Sequence, residues 1–332
     1  MSGVTLVLVE TDSQEATETS IETLTFARDL ARRRDGGSLH AVLVGPLEPA
    51  VRATALSQLG DQGVDVVHLA QAEALSSYSA ASWASAMCGV VASESADAVL
   101  AAGTPRGSEI MAHVATRLDA VMAANVVGVA ESEPLVVARQ VMGGSVLELM
   151  SVSSTPVVLT VAGHAVEPAS AEPITEPEVR AFEPELAESD LVGRVVRVEA
   201  GESDDTAALT GARVVVGAGR GAGSANGFGD LLELTELLGG ALGVSRVVTS
   251  LGWRPHHEQV GQTGSRISPD VYIACGISGA IQHWAGCSSA KTILAINTDP
   301  DAPMVTKAHY AVIGDLHEVV PAINEELRRR LA

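Results

Sequence analysis

A chain of 332 residues exceeds the usual size of one domain, so two domains are expected, each long enough to bury a core. Its 46% apolar content includes only 3% aromatics, which suits Val-rich strands alternating with Ala- and Leu-rich helices. A formal charge of -20 argues against nucleic acid or an anionic lipid surface as partner, because both call for a basic face.

Val4 to Val9 reads as a buried strand, and Ile21, Leu24, Ala27, Leu30 and Ala31 follow at helical spacing. The alternation continues through His40–Val44, a helix near 49–59, Val64–Leu69, a helix near 82–92, Ala98–Ala102, a helix near 107–118 and Asn125–Val129. Such alternation predicts a parallel sheet with helices on its faces. Leu135–Val141, Val146–Met150 and Val157–Val161 stand too close together for helices between them, and predict antiparallel strands attached to that sheet. Pro168, Pro173, Pro177 and Pro184, scattered among acidic residues, make 164–210 an extended linker. A second α/β series follows: Arg213–Val216, a helix near 228–242, Val244–Thr249, Val271–Ala274, a helix near 280–286, Thr292–Ile296, His309–Ile313 and a closing helix, Leu316–Leu331. The expectation is two α/β domains with parallel sheets, 1–163 and 211–332, the C-terminal one doubly wound. Cys88, Cys275 and Cys287 lack metal-type spacing and read as the reduced thiols of a cytoplasmic protein. No metal site and no membrane insertion are expected, since no run approaches the roughly 18 apolar residues of a span.

Chemistry-bearing residues concentrate in the second series. After Val214-Val-Val216 the chain enters Gly217, Gly219, Arg220, Gly221 and Gly223, glycines that let backbone approach a ligand closely, with a guanidinium suited to phosphate. Their spacing does not make a dinucleotide fingerprint. The strand Val271–Ala274 ends similarly in Gly276, Ser278 and Gly279, with His283 about a turn into the next helix. Gln262 and Thr263, between glycines, suit the carbonyls and ring nitrogens of a heterocycle. Ser245 and Arg246 begin a strand, Asn297 ends one, and Asp315 precedes the closing helix. Each has an ordinary reading as well: flexible loop, core histidine beside Trp284, polar turn, surface cap, turn former, helix N-cap. What outweighs these is convergence, because strand C-termini of a parallel sheet share one edge, where open α/β sheets bind ligands.

Gly219–Gly221, the VGQTG of Val260–Gly264, the segment Pro269–His283 ending in ISGAIQH, Lys291–Pro303 and Tyr310–Leu316 occur in this order in the α subunit of electron-transfer flavoprotein. The chain resembles that family densely over its C-terminal third and in layout throughout. The resemblance implies an FAD-binding C-terminal domain and a heterodimer with a β subunit, the N-terminal domain serving as a partner-binding domain. Electrons would pass from flavin dehydrogenases to a membrane quinone reductase, so the protein would be an electron carrier rather than a substrate-converting enzyme. By the same resemblance Arg220, Ser245, Gln262, Thr263, Ser278, Gln282, His283, Asn297 and Asp315 line the FAD, together with Val260, Gly261, Gly279, Ala280, Ile281 and Leu316. Arg246 would lie over the isoalloxazine ring, Thr263 near its N5 and His283 near its C2 carbonyl. Ser278 and the backbone through Gln282 would serve the phosphate and ribityl region, and Asn297 and Asp315 the adenosine end. The chain departs from the family at Gly223, where a Lys is common, at Asn226-Gly227, where Glu-Asn is, and at Ser250, where an Asp is. These departures bear on phosphate binding and on the support of one loop. Two alternatives stay open: a subunit of a bifurcating, NADH-oxidising flavoprotein whose extra flavin belongs to the β subunit, and a non-redox nucleotide-binding subunit.

Overall fold

The computed structural model describes residues 3–34, 36–142, 146–163, 165–197 and 209–331. They fall into two compact units, one formed by Met1–Val141 with Leu147–Val198 and a second containing Glu199–Ala332.

In the first unit the elements run β1 (Val4–Leu8), α1 (Glu18–Arg33), β2 (Ser38–Val44), α2 (Pro49–Asp61), β3 (Val66–Ala70), α3 (Ala80–Glu94), β4 (Ala96–Ala102), α4 (Pro105–Arg117), β5 (Met122–Ser132), β6 (Leu135–Val141), β7 (Val146–Ser151), β8 (Val157–Val161) and β9 (Glu178–Phe182). Helix starts follow local chemistry: Ser79 and Thr104 accept hydrogen bonds from Ser82 N and Gly107 N, and Pro105 occupies the first turn of α4. Helix α1 buries Leu24, Ala27, Leu30 and Ala31 of the predicted apolar stripe, while Ile21 is only partly buried against the same core. The sheet has nine strands in the order β7-β6-β5-β8-β4-β1-β2-β3-β9.

Two sequence expectations for this unit require correction. Strand β6 is antiparallel to β5 as expected, but β8 lies between β4 and β5 and runs parallel to both. Its five residues are all buried, the pattern of a strand covered on both faces rather than of a peripheral hairpin arm. The expected linker also contributes structure: Glu178–Phe182 pairs in parallel with β3 as the edge strand β9. Four of its five side chains are exposed, so hydropathy carries no sign of it, and charged residues are what an edge strand tolerates.

The second unit runs β10 (Val214–Ala218), α5 (Gly229–Leu237), β11 (Ala241–Val244), α6 (Arg246–Ser250), β12 (Val271–Cys275), α7 (Ile281–Cys287), β13 (Thr292–Asn297), α8 (Pro303–Lys307), β14 (Tyr310–Ile313) and α9 (Leu316–Leu331). All pairings are parallel, in the order β11-β10-β12-β13-β14. One core joins Val216, Ile273 and Ile296 to Leu231, Leu234 and Val320 of α5 and α9. The opposite face buries Val215, Tyr272 and Ala274 with Cys287 and Met304 of α7 and α8. Helices on both faces make this a doubly wound sheet. The expected strand Val244–Thr249 is a correction: the strand ends at Val244, and Arg246–Ser250 coils into a one-turn helix. The Val247-Val248 pair favours strand locally, but only Val248 in that helix is buried, so tertiary packing overrides propensity. Among the described residues no helix is long and apolar enough to cross a membrane.

Candidate functional site

In this strand order the chain starts at β10, winds one way to β11 and then the other way to β12, so the loops after β10 and β12 diverge at the C-terminal edge of the sheet. That divergence is the topological switch point, where doubly wound sheets hold ligands. A cavity of about 800 Å³ opens there. Eleven of the expected site residues line it: Arg220, Ser245, Arg246, Ser278, Gly279, Ala280, Gln282, His283, Asn297, Asp315 and Leu316. Val260, Gly261, Gln262, Thr263 and Ile281 do not. The loop of the first four is tied to the wall at one point, where Gln262 N donates to Gln282 O at 2.7 Å, while Gly261 N donates to Ser265 O at 3.0 Å within the loop; Gln262 and Thr263 are exposed. Thr263 Oγ1 accepts from Gln259 Nε2 at 3.0 Å. Ile281 is 77% exposed at the start of α7.

Glycine is required where the two loops meet. Gly219 N and Gly221 N donate to Cys275 O and Gly276 O, at 2.9 and 3.1 Å, stitching one loop to the other. A side chain at Gly221 would come within 2.6 Å of Gly276 Cα, and Gly279, at φ +79, would drive one into the Met304 backbone. Asn297 then ties the third loop in, its Nδ2 donating to Ile277 O at 3.0 Å and its Oδ1 accepting from Asp299 N at 3.1 Å. Asp315 accepts from His317 N at 2.9 Å at the entry to α9. Both side chains therefore shape the cavity wall with the turn and capping bonds that their residue types favour.

His283 is held from below. Its Nε2 lies 2.7 Å from the Oη of Tyr272, a fully buried residue of β12. Burial drives the imidazole pKa down to about 4, against a smaller opposing contribution from the Val260 backbone, so the ring is neutral at ordinary pH. Gly217 on β10 makes room for this pair, since a Cβ there would collide with Tyr272 Oη. Sequence reasoning passed over Tyr272 as one member of an apolar strand. The signal was a lone polar atom in Val271–Cys275, which must find a partner once buried. It also passed over Val247, Thr298 and His317, which line the cavity simply because they follow strand ends.

The lining carries charge of both signs, the guanidiniums of Arg220 and Arg246 and the carboxylates of Asp299 and Asp315. Among the described residues neither Arg220 nor Arg246 has a carboxylate partner, although the chain carries a net charge of -20. Among the described residues the lining residue Ser245 contains a buried polar atom without a hydrogen bond, Oγ; His283 Nδ1 also lacks a well-aligned one, but its neighbour is the Val260 backbone rather than the cavity. Buried polar groups are normally paired, so an orphan in a cavity wall points to a ligand that completes it.

Residues 208–288 match the electron transfer flavoprotein FAD-binding domain, and residues 5–187 match the electron transfer flavoprotein domain. The electron transfer flavoprotein subunit alpha of Mycobacterium leprae is 36% identical over 326 residues, covering 98% of each chain. That of Thermoanaerobacterium thermosaccharolyticum is 33% identical over 313 residues, covering 93% of each. Protein FixB of Bradyrhizobium diazoefficiens is 34% identical over 329 residues, covering 98% of this chain and 88% of FixB. FAD is accordingly the cofactor, and the cavity fits it: guanidiniums without a carboxylate partner among the described residues for a pyrophosphate, close-approach glycines, and the unpaired Ser245 Oγ for a polar group of the cofactor. With domain matches at both ends and relatives aligned along nearly its whole length, the chain belongs to the electron transfer flavoprotein α-subunit family.

Proposed function

We propose that this chain is the FAD-holding subunit of a heterodimer with an electron-transfer flavoprotein β subunit, passing electrons from flavin-dependent dehydrogenases to a membrane quinone reductase or similar acceptor. The observation that carries the reading is the switch-point cavity, lined by two guanidiniums without a carboxylate partner among the described residues and by Ser245, whose buried Oγ has no hydrogen bond there. The flavin, when bound, supplies the electron chemistry; the protein's part is to bind, orient and tune it. Arg220, in the turn after β10 and lining the cavity, would grip phosphate, together with Ser278 and the backbone toward Gln282. Arg246, which lines the cavity, would set a positive charge beside the flavin ring. His283 adds a neutral hydrogen-bonding group, kept in one orientation by Tyr272. Thr263, exposed in the loop next to the wall, keeps its hydroxyl proton free to donate while accepting from Gln259.

Co-purified with its β partner, the chain should show flavin absorption bands and one extractable FAD in this site. In a spectroelectrochemical titration, Arg246→Ala should lower the flavin's potential, and His283→Ala should lower it less, because a neutral ring offers only a hydrogen bond. A colourless heterodimer that does not take up added FAD would sink the proposal. Normal FAD binding with unchanged potentials in both variants would leave binding and remove the tuning role.

A further inference from the structure

The first unit contains a cluster of metal-ligating side chains that the flavin site does not use. The parallel register pairs His40 of β2 with Val66 and Val42 with His68 of β3, so both imidazoles project from the same sheet face, one step apart. Each histidine is 4% exposed. His40 Nδ1 lies 3.1 Å from His68 Nε2. Glu94, the last residue of α3, brings its carboxylate oxygens to 3.8 Å from the first nitrogen and 3.9 Å from the second. Around a tetrahedral zinc ion, with bonds of about 2.0–2.2 Å, neighbouring ligand atoms stand about 3.3 Å apart. The observed triangle reaches that geometry if the carboxylate moves inward by about half an ångström, a small torsional adjustment for a Glu at a helix end.

We propose that His40, His68 and Glu94 form a binding site for a divalent transition ion of zinc type, with one coordination position left for water. The donor set is two imidazoles and a carboxylate, which suits zinc and its neighbours better than magnesium or calcium. Burial holds both histidines below their ordinary pKa, so each offers a neutral ring. Without metal, one of the two facing nitrogens carries the hydrogen shared between them. Coordination by both requires that ring to move its proton to its other nitrogen, with no net change in charge.

Arg180 of β9 is the natural competitor. It sits opposite His68 in the register, 42% exposed, and donates to Glu94 at 3.1 Å while also forking onto Glu178 at 2.9 and 2.7 Å. It can release Glu94 and stay paired with Glu178, leaving the Glu94 carboxylate to offset one charge of the incoming dication. The arrangement thus has a metal-free state, closed by Arg180, and a metal-bound state.

The test uses the full chain stripped with a chelator and titrated with Zn(II), with Co(II) as a coloured probe. Wild type should take up one equivalent, and Co(II) should give the intense visible bands of a low-coordinate site. Glu94→Gln should weaken Zn(II) binding by more than about tenfold, since one of three protein ligands is lost, and His68→Asn should abolish it. If His68→Asn does not fold, the partly exposed Glu94→Gln decides alone. Absence of stoichiometric uptake by wild type, or uptake unchanged in Glu94→Gln, overturns the proposal.

Discussion

His283 makes the stability of the second unit depend on pH, and the structure sets the size and sign of the effect. In the unfolded chain its pKa returns to about 6.5, the ordinary histidine value, whereas in the fold burial holds it at about 4. Between these values the unfolded state binds the extra proton, so stability falls as pH drops from about 6.5 to about 4 and is independent of this residue above that window. The full gap corresponds to roughly 3 kcal/mol, of which about 2 kcal/mol is lost by pH 5. His283→Gln, which cannot take up the proton but can still accept from Tyr272, should remove this slope. Native-state hydrogen exchange on the flavin-free chain, read on peptides from 209–331 at pH 7 and pH 5, separates the effect from His40 and His68 of the first unit. Equal pH dependence in wild type and variant would show that His283 is not desolvated in the way that the Tyr272 contact and its burial require.

Further outcomes follow from single contacts. Tyr272→Phe strands His283 Nε2 in a dry core and should destabilise the second unit by about 1–3 kcal/mol in urea unfolding. Gly217→Ala forces Tyr272 out of place and should cost a similar ~1–3 kcal/mol in the same unfolding assay. Arg220→Ala should weaken FAD binding by roughly 1.5–3 kcal/mol, measured by fluorescence titration, while leaving the flavin potential unchanged. Gly279→Ala should impair cofactor retention more than Arg220→Ala does, because the positive φ and the Met304 backbone distort the whole loop. FAD content after gel filtration reports it.

Much of the second unit was legible because its signals are local. Strands of Val and Ile, glycines at their ends and polar residues behind the glycines name both the sheet and its working edge. The closing helix falls on Leu316–Leu331 in sequence and structure alike, its apolar spacing being set within one element. Readings failed where a neighbour decides. Arg246–Ser250 has a strand former's composition but packs as a helical turn, and β8 carries no mark of direction, only of burial on both faces. Strand β9 exists because β3 has a free edge, a fact absent from its own five residues.

The sequence by itself determined the two α/β series, the parallel sheet of the second unit, the glycine-bounded loops and the family to which they belong, because each rests on spacing within a short stretch of chain. Only the tertiary structure decided which loops share the switch point, that Tyr272 of a core strand holds His283, and that His40, His68 and Glu94 meet although 28 and 26 positions separate them in turn. Those juxtapositions depend on strand order and register, and register is a property of pairs of segments that no single segment encodes.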